Sequence, residues 1–431
     1  MHVNFNKLLL GLKEENFKII KYYQKGRYLN IYNLELEKQE HQCPRCKNKT
    51  SYVHDYRTRV IKHGNFNGNY LVFHYNRRRY ICKSCNKRFP ELNSFVDKYA
   101  KISNQLNMKI IDDLKDFKTF KSIANSNNVS SSTVIRRADK HISILTLDLP
   151  EVISLDEFKK SNSKIKEGKY ALSIADPINK KIIDIIPNRW KNKVNDYLYK
   201  IPLESLKNVK IVTIDMWEPY KDLSYKHFPN AKVVIDRFHY IRQIVWWLDD
   251  IRKLVMNSYK TNQKGYQILK KYSKLLIKNP NNINHFFTPN KYFKKLMSEA
   301  SIINECLAID DRLFRAYKLY EHFQIKTNDL FETETESLAF IDDFIQILYG
   351  SDLPNAKVLA DTFINWRKEI ANSLYLHYLD QDNNIKRFTS GFIEGSNNFI
   401  KTFRRMSYNI RCFNRFKTRI ITLFNKELML T

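Results

Sequence analysis

The stretch VKIVTIDMWEPY, residues 209–220, is a run of apolar and β-branched side chains that reaches an acid, Asp215. Such a run is typical of a strand buried on both faces. A carboxylate is unexpected there unless it lies at the carboxyl end of the strand and faces a cleft. The stretch EVISLDEF, residues 151–158, repeats the pattern with Asp156. Because side chains alternate along a strand, Asp156 and Glu157 face opposite ways, and we assign Asp156 to the cleft.

The segments around these two aspartates predict a mixed α/β sheet. Further strands are expected in KYALSIADP from residue 169, in KKIIDIIPNR over residues 180–189, and in AKVVIDRFHY from residue 231. A helix is expected around VNDYLYKI, before the strand that contains Asp215. Three strands joined by short turns, followed by alternating helices and strands, are the order of an RNase H-like domain. We therefore predict an RNase H-like catalytic core.

A third acid stands in a strongly basic segment. Residues 386–431 contain ten Lys or Arg, and Glu394 is one of only two acids. On a helical wheel of residues 391–406, Glu394 lies opposite an apolar stripe. If it meets Asp156 and Asp215, three carboxylates converge, and their oxygens suit Mg²⁺ or Mn²⁺. The alternative is a surface salt-bridge partner. Three cations of the same helix would hold the adjacent DNA backbone: Lys401, Arg404 and Arg405.

Composition and charge describe a folded, multidomain protein with a polyanionic partner. The chain has 431 residues, 43% of them hydrophobic, and a formal charge of +29. No apolar run approaches the roughly 20 residues of a membrane-spanning helix, so nucleic acid is the expected partner and the cytoplasm the expected location. Residues 43–98 carry 13 basic side chains and three acids, whereas residues 245–385 carry 18 of each sign. The polyanion is therefore expected at the outer, basic segments.

Four of the six cysteines form two pairs, Cys43-Pro-Arg-Cys46 and Cys82-Lys-Ser-Cys85. Two such pairs complete the tetrahedral thiolate site that structural Zn²⁺ prefers, and a disulfide is disfavoured in the cytoplasm. The 35 residues between the pairs predict a hairpin that turns near residues 64–68. We predict a zinc-ribbon-like finger with all four cysteines as ligands. Two unrelated structural pairs are the alternative.

Residues 117–142 predict two short helices separated by a tight turn, NSNNV. The second helix has an apolar face that includes Val134 and Ala138, and its other face is basic. A helix-turn-helix places a helix of this kind in the major groove of DNA, although an ordinary solvated helix pair has the same pattern. The residues expected to contact DNA are Thr133, Arg136, Arg137 and Lys140.

The quoted motifs together resemble a known family. They are the paired-cysteine finger, the helix-turn-helix, SLDEF, TIDMWEPY, FPNAKVVIDRFH and SGFIEGSNNFIKTFRRMSYNIRCFNRF. In this order the chain is similar to bacterial insertion-sequence transposases of the ISL-three family, in the Asp-Asp-Glu superfamily. The resemblance covers nearly the whole chain.

The resemblance implies a catalytic triad of Asp156, Asp215 and Glu394 that binds Mg²⁺ or Mn²⁺. It also implies that Asp236 and His239, in DRFH, lie close to this site, either as contributors to metal or DNA binding or as structural support. The long interval between Asp215 and Glu394 implies a helical insertion inside the catalytic domain, and the apolar periodicity of that interval agrees.

The function implied is cleavage at the terminal inverted repeats of an insertion sequence, followed by strand transfer to target double-stranded DNA. The triad with two metal ions would support hydrolysis that frees a 3′-hydroxyl, which then attacks the target. A homo-oligomer assembled on DNA and a nucleoid-associated location in a bacterial cytoplasm are expected. Two alternatives are a sequence-specific DNA-binding regulator with an inactive transposase-like domain, and an RNase H-like structure-specific nuclease.

The predicted fold is therefore a multidomain α+β protein, with a finger and a helix-turn-helix before an RNase H-like mixed α/β domain that a helical insertion interrupts. Its segments are 1–100 with the four-Cys finger, 101–148 with the helix-turn-helix, 149–244 with the first part of the core, 245–385 with the insertion, and 386–431 with the last part of the core and the glutamate helix.

Overall fold

The computed structural model describes residues 17–66, 68–141, 148–160, 168–407, 410 and 412–425. The chain divides into two compact units. One comprises Met1–Leu145 with Thr402–Thr431, and the other comprises Thr146–Lys401. The boundaries of the five predicted segments stay a prediction.

The first unit begins with strands and two small cysteine-bearing turns. The strands are β1 (Phe17–Lys25), β2 (Leu29–Leu36), β3 (His41–Gln42), β4 (Lys49–Thr50), β5 (Val53–Phe66), β6 (Asn69–Ile81) and β7 (Arg88–Pro90). The sheet order is β1-β2-β6-β5, and β7 pairs with β6. The predicted hairpin is the long antiparallel pair β5–β6, and Gly68 with a φ of 79° lies at its turn. Its buried face packs Ile61, Phe73 and Tyr75 against Leu34.

Three short helices follow in the same unit. They are α1 (Asn104–Asp113), α2 (Phe120–Ser126) and α3 (Ser131–His141). Each begins at a hydroxyl that accepts a backbone N–H bond, and for α3 this is Ser130, whose Oγ lies 3.2 Å from the Thr133 nitrogen. Val134 and Ala138 of α3 are buried against α1 and α2, as the apolar pattern predicts.

The second unit is built on a mixed five-stranded sheet. Its first elements are β8 (Val152–Lys159), β9 (Tyr170–Asp176), β10 (Lys181–Ile186), α4 (Lys191–Leu198), α5 (Leu203–Asn208), β11 (Ile211–Ile214), α6 (Glu218–His227) and β12 (Lys232–Ile235). The strand order is β10-β9-β8-β11-β12. The first three strands are antiparallel neighbours, whereas β11 runs parallel to both β8 and β12. The mixed α/β prediction is confirmed.

A mainly helical region follows β12. Its elements are α7 (Arg237–Asn257), α8 (Lys264–Lys271), α9 (Ser273–Leu276), a 3₁₀ turn (Pro280–Asn282), β13 (Thr288–Asn290), β14 (Lys295–Met297), α10 (Glu299–Leu307), α11 (Asp311–Lys326), α12 (Glu334–Gly350), α13 (Ala356–Asn365), α14 (Arg367–Tyr375), β15 (His377–Leu379) and β16 (Ile385–Arg387). Buried aromatic rings hold α11, α12 and α13 together. Phe323 lies with its ring centroid 4.6 Å from Phe344 and 5.6 Å from Phe363.

Two helices close the described chain, α15 (Gly391–Met406) and α16 (Phe413–Phe424). In the first unit, α16 packs on the α2–α3 pair. Arg415 forms a bidentate ion pair with Asp139 at 2.8–3.1 Å, and buried Arg419 donates to the carbonyls of Asp116 and Lys118. None of the helices in the described ranges combines the length and the apolar character that a membrane span requires.

Candidate active site

Four cysteines converge in the first unit. Cys43 and Cys46 lie in the turn between β3 and β4, and Cys82 and Cys85 lie in the turn between β6 and β7. The Sγ atoms of Cys43 and Cys85 are 3.6 Å apart, and those of Cys46 and Cys82 are 3.4 Å apart. A tetrahedron with Zn–S bonds of about 2.3 Å has edges of about 3.8 Å, so the four thiols fit structural zinc. The predicted ligand set is brought together.

In the second unit, the two aspartates emerge side by side from the sheet. The parallel register pairs Ile214 of β11 with Leu155 of β8, so Asp215 and Asp156 are the next residues on neighbouring strands. The prediction places both aspartates at the ends of strands, and this is wrong for Asp156. Strand β8 does not end there, because its pairing with β9 continues to Lys159 after its pairing with β11 has stopped. The cleft therefore opens where β11 ends.

Asp156 is in an environment that opposes its negative charge. Its side chain is buried, and this burial, followed by the nearby charge of Asp215, raises the pKa of Asp156 to about 6. Glu157 is directed elsewhere, as side-chain alternation predicts, and bonds Arg189 and the hydroxyl of Tyr220. Of the two adjacent acids, Asp156 is therefore the one beside Asp215.

An amide that the sequence analysis did not select holds Asp156 in place. The buried Asn397 of α15 donates from Nδ2 to Asp156 Oδ2 at 2.8 Å, and its Oδ1 accepts the Ser173 hydroxyl, also at 2.8 Å. Ser173 lies opposite Asp156 in the β8–β9 register. The helical wheel of residues 391–406 did not single out Asn397. The available signal was that it lies between Ile393 and Ile400 on the same buried face.

Asp215, His239 and Glu394 form the second cluster of possible metal ligands. One donor atom from each residue lies within 4.8 Å of the other two. His239 Nε2 is 2.9 Å from Asp215 Oδ1. Burial works to lower the pKa of His239, but its contact with Asp215 outweighs burial and raises it. Asp156 is not a member of this cluster. The structure thus brings Glu394 to Asp215, with an imidazole as third donor.

Two buried atoms of this cluster have no hydrogen-bond partner within the described residues. Although His239 Nε2 and Asp215 Oδ1 are close, their contact is not an aligned hydrogen bond, and within the described residues neither atom has another partner. Arg242 lies 3.2 Å from the other ring nitrogen, Nδ1. Buried polar atoms are rarely left unsatisfied, and two carboxylates with an imidazole are a donor set for a divalent cation. The residues present therefore fit such an ion.

Asp236 has a different role from His239, although both belong to the DRFH sequence. Its Oδ1 accepts the backbone N–H of Phe238 at 2.8 Å and begins α7. Its Oδ2 accepts the backbone N–H of Ser390 at 2.6 Å, just before α15. The Ser390 hydroxyl in turn lies 3.2 Å from Glu394 Oε1. Asp236 thus fixes the start of the glutamate helix relative to the sheet.

The residues predicted to contact DNA differ in how exposed their side chains are. On α3, Arg136 and Lys140 are exposed, while Thr133 and Arg137 are partly buried. On α15, Arg405 is exposed and Lys401 is partly buried, with Nζ 3.5 Å from Asn398. Arg404 lies over the Phe416 ring at 5.8 Å, and burial lowers its pKa. These DNA contacts stay predictions.

The fold and the site together define a class: a chain with a four-cysteine finger and a mixed α/β domain that carries two adjacent aspartates where β11 ends. The chain belongs to the ISL3 (ISL-three) family of transposases, which it matches over residues 153–420. Residues 39–85 match the zinc finger of transposases IS204, IS1001, IS1096 and IS1165. The chain is similar to the transposase for insertion sequence element IS1001 of Bordetella parapertussis, with 23% identity over 420 residues, covering 93% of this chain and 92% of that protein. The resemblance inferred from the sequence is confirmed, and the protein is a transposase.

Proposed function

We propose that this transposase binds the terminal inverted repeats of its insertion sequence and catalyses metal-dependent strand cleavage and strand transfer at the site of Asp156, Asp215 and Glu394. The observation that carries the proposal is the convergence of donor atoms from Asp215, His239 and Glu394 within 4.8 Å. The strand order, with three antiparallel strands followed by two parallel ones, supports an RNase H-like core.

Divalent cations, when bound, would polarise the scissile phosphate and stabilise the attacking and leaving oxygens. The protein's own part is to hold the donors. Asp215 is fixed by its position after β11, Glu394 by the attachment of α15 to Asp236, and Asp156 by the amide of Asn397. Such fixed donors need little reorganisation when the phosphate arrives.

His239 is proposed as a direct member of the site. Its ring is buried beside Asp215, with Nε2 2.9 Å from Asp215 Oδ1, and it offers a donor atom within 4.8 Å of one from Glu394. Imidazole is a better ligand for Mn²⁺ and later transition metals than for Mg²⁺. We therefore expect Mn²⁺ to support cleavage at lower concentration than Mg²⁺ does.

DNA recognition is assigned to the first unit. The finger and the α2–α3 pair, read as a helix-turn-helix, carry the basic residues that would contact the inverted repeats. Phosphate contacts would supply affinity, and base contacts from the exposed face of α3 would supply specificity. Assembly as a homo-oligomer on the two ends is part of the proposal.

The test is incubation of the purified protein with its own end DNA and Mg²⁺ or Mn²⁺, with mapping of new 3′ ends and of joined products. Cuts at the repeat boundary, absent with Glu394→Gln, are expected. Specific binding without cleavage would instead identify a DNA-binding regulator. Cleavage of branched DNA regardless of end sequence would identify a structure-specific nuclease.

A further inference from the structure

Residues 245–385, which form most of the helical region, have zero net charge only because a basic part and an acidic part cancel. Residues 251–298 contain eleven Lys or Arg and no Asp or Glu. Residues 299–385 contain 16 acids and seven basic residues. The basic part, called the basic hairpin region below, includes α8, α9 and the β13–β14 hairpin. Charge segregation on this scale needs a physical explanation.

The positive charges of the basic hairpin region are largely uncompensated. Four of its eleven cations form ion pairs: Lys278 with Glu299, Lys295 with Glu305, and Arg252 and Lys253 with the acids Asp249 and Asp250 that precede the region. Seven others are exposed and have no acidic partner within the described residues: Lys260, Lys264, Lys270, Lys271, Lys274, Lys291 and Lys294.

Aromatic contacts bring the lysines of the helices and of the hairpin turn onto one surface. Tyr272 stacks on Phe293 with 5.9 Å between ring centroids, and its hydroxyl donates to Asn290. Tyr292 lies under Lys271, whose Nζ is 4.8 Å from the ring centroid. The turn therefore rests on the end of α8 and on Tyr272, the residue after it. Beside it is an open groove of about 490 Å³, lined by Thr261, Tyr266, Gln267, Lys270, Lys271 and Tyr292.

Two exposed phenylalanines lie in the same region of the chain. Phe286 and Phe287, directly before β13, are 81% and 65% exposed. Exposed lysines clustered on one surface are characteristic of nucleic-acid-binding proteins, where their charge follows the phosphate backbone. In contrast, protein–protein interfaces are depleted in lysine relative to the rest of the surface. The composition thus favours a polyanion over a protein partner.

We infer that the basic hairpin region is a second DNA-binding surface, which contacts the phosphates of duplex DNA without regard to sequence. It lies in the same compact unit as the proposed catalytic residues, whereas the finger and α3 belong to the other unit. The inference rests on the proposed function only in that this protein acts on DNA. It adds a surface to the outer, basic segments that net charge alone assigns to the polyanion.

The test compares two triple variants of the full-length protein in binding to a random duplex of about 30 base pairs over a salt series. The test variant is Lys271→Gln, Lys291→Gln, Lys294→Gln. The matched control is Lys326→Gln, Lys357→Gln, Lys368→Gln, three exposed lysines of the same unit in the acidic part. Thermal unfolding of both variants should match the wild type, because all six side chains are exposed.

We expect the slope of log affinity against log salt to fall by about two to three in the test variant, because each lost phosphate contact removes roughly 0.9. Affinity should fall equally on end DNA and on random DNA, and the control should bind like the wild type. Unchanged affinity and slope in the test variant would overturn the inference. Altered self-association in sedimentation, with DNA binding intact, would also overturn it and identify an interface between copies.

Failure of the wild type to cleave end DNA would count against the proposed function and leave this binding result unaffected.

Discussion

The side-chain amide of Asn397 donates to Asp156 Oδ2 at 2.8 Å and joins the glutamate helix to the central strand of the sheet. The same amide accepts a hydrogen bond from Ser173 on the adjacent strand, so its orientation is fixed from both ends. Two of the three proposed catalytic carboxylates are therefore coupled through α15, which carries Glu394 and Asn397 one turn apart.

Asn397→Ala should reduce strand cleavage by roughly 10- to 100-fold, which is the usual effect of losing a residue that orients a metal ligand. Because the amide N–H lowers the pKa of Asp156, its loss should raise that pKa further and move the acid limb of the pH–rate profile to higher pH. The control is Asn398→Ala, the exposed neighbour. A loss of activity with an unshifted pH profile would mean that Asn397 acts on folding alone.

Asp156→Asn should stabilise the protein above pH 6 in buffer without added Mg²⁺ or Mn²⁺. Burial, and then the charge of Asp215, raise the pKa of Asp156 to about 6. Between about pH 4 and pH 6, Asp156 is protonated in the folded state but ionised in the unfolded state. Its contribution to the free energy of unfolding is therefore fully present below about pH 4 and is lost as the pH rises through about 6. A pKa change of about two corresponds to roughly 3 kcal/mol, which is an upper bound on the gain in the free energy of unfolding.

The difference in melting temperature between the Asp156→Asn variant and the wild type should be larger at about pH 8 than at about pH 4.5. Equal differences at the two values would contradict the raised pKa.

Glu394→Gln should lower cleavage of end DNA by at least about 100-fold, because an amide replaces a negatively charged donor in the cluster with Asp215 and His239. Binding of end DNA should persist, since the finger and α3 are unchanged. Asp382→Asn, an exposed acid in the turn between β15 and β16, serves as control. Substantial cleavage by the Glu394 variant would falsify the proposed triad.

The purified protein should contain about one equivalent of zinc per chain, as expected for a single four-cysteine site. Replacing both Cys43 and Cys46 by Ser should remove the metal, because two of four converging thiols are lost. Elemental analysis measures both values. The exposed Cys412, changed to Ser, is the control. Less than half an equivalent in the wild type would exclude the site.

Arg136→Ala combined with Arg137→Ala should weaken binding to end DNA more than binding to random DNA, because α3 is proposed to read bases. Competition binding with both duplexes at one salt concentration measures the two losses. Arg312→Ala with Arg315→Ala, on α11, gives a control of equal charge. An equal loss on both duplexes would assign the α3 arginines to phosphate contacts.

The sheet and its aspartates were predictable because short-range patterns determine them. A run of β-branched residues that reaches an acid specifies both the strand and the side of the sheet on which the acid emerges, as for Asp215. Two other features could not be predicted from the sequence: the role of Asn397 and the basic hairpin region. Asn397 lies on the same helix face as Ile393 and Ile400, but its partners Asp156 and Ser173 are distant in sequence, so no local pattern shows what the amide binds. The basic hairpin region disappears when charge is summed over residues 245–385.

The carboxylate of Asp236 also determines how much the region between β12 and α15 can vary. The chain departs from the sheet at Asp236 and returns at Ser390, whose N–H is 2.6 Å from that carboxylate. Its exit and re-entry points are thus joined by one hydrogen bond. Residues inserted or removed in an exposed turn of this region, such as the turn between β15 and β16, are therefore expected to leave the position of Glu394 unchanged, because the hydrogen bond that sets the start of α15 stays intact.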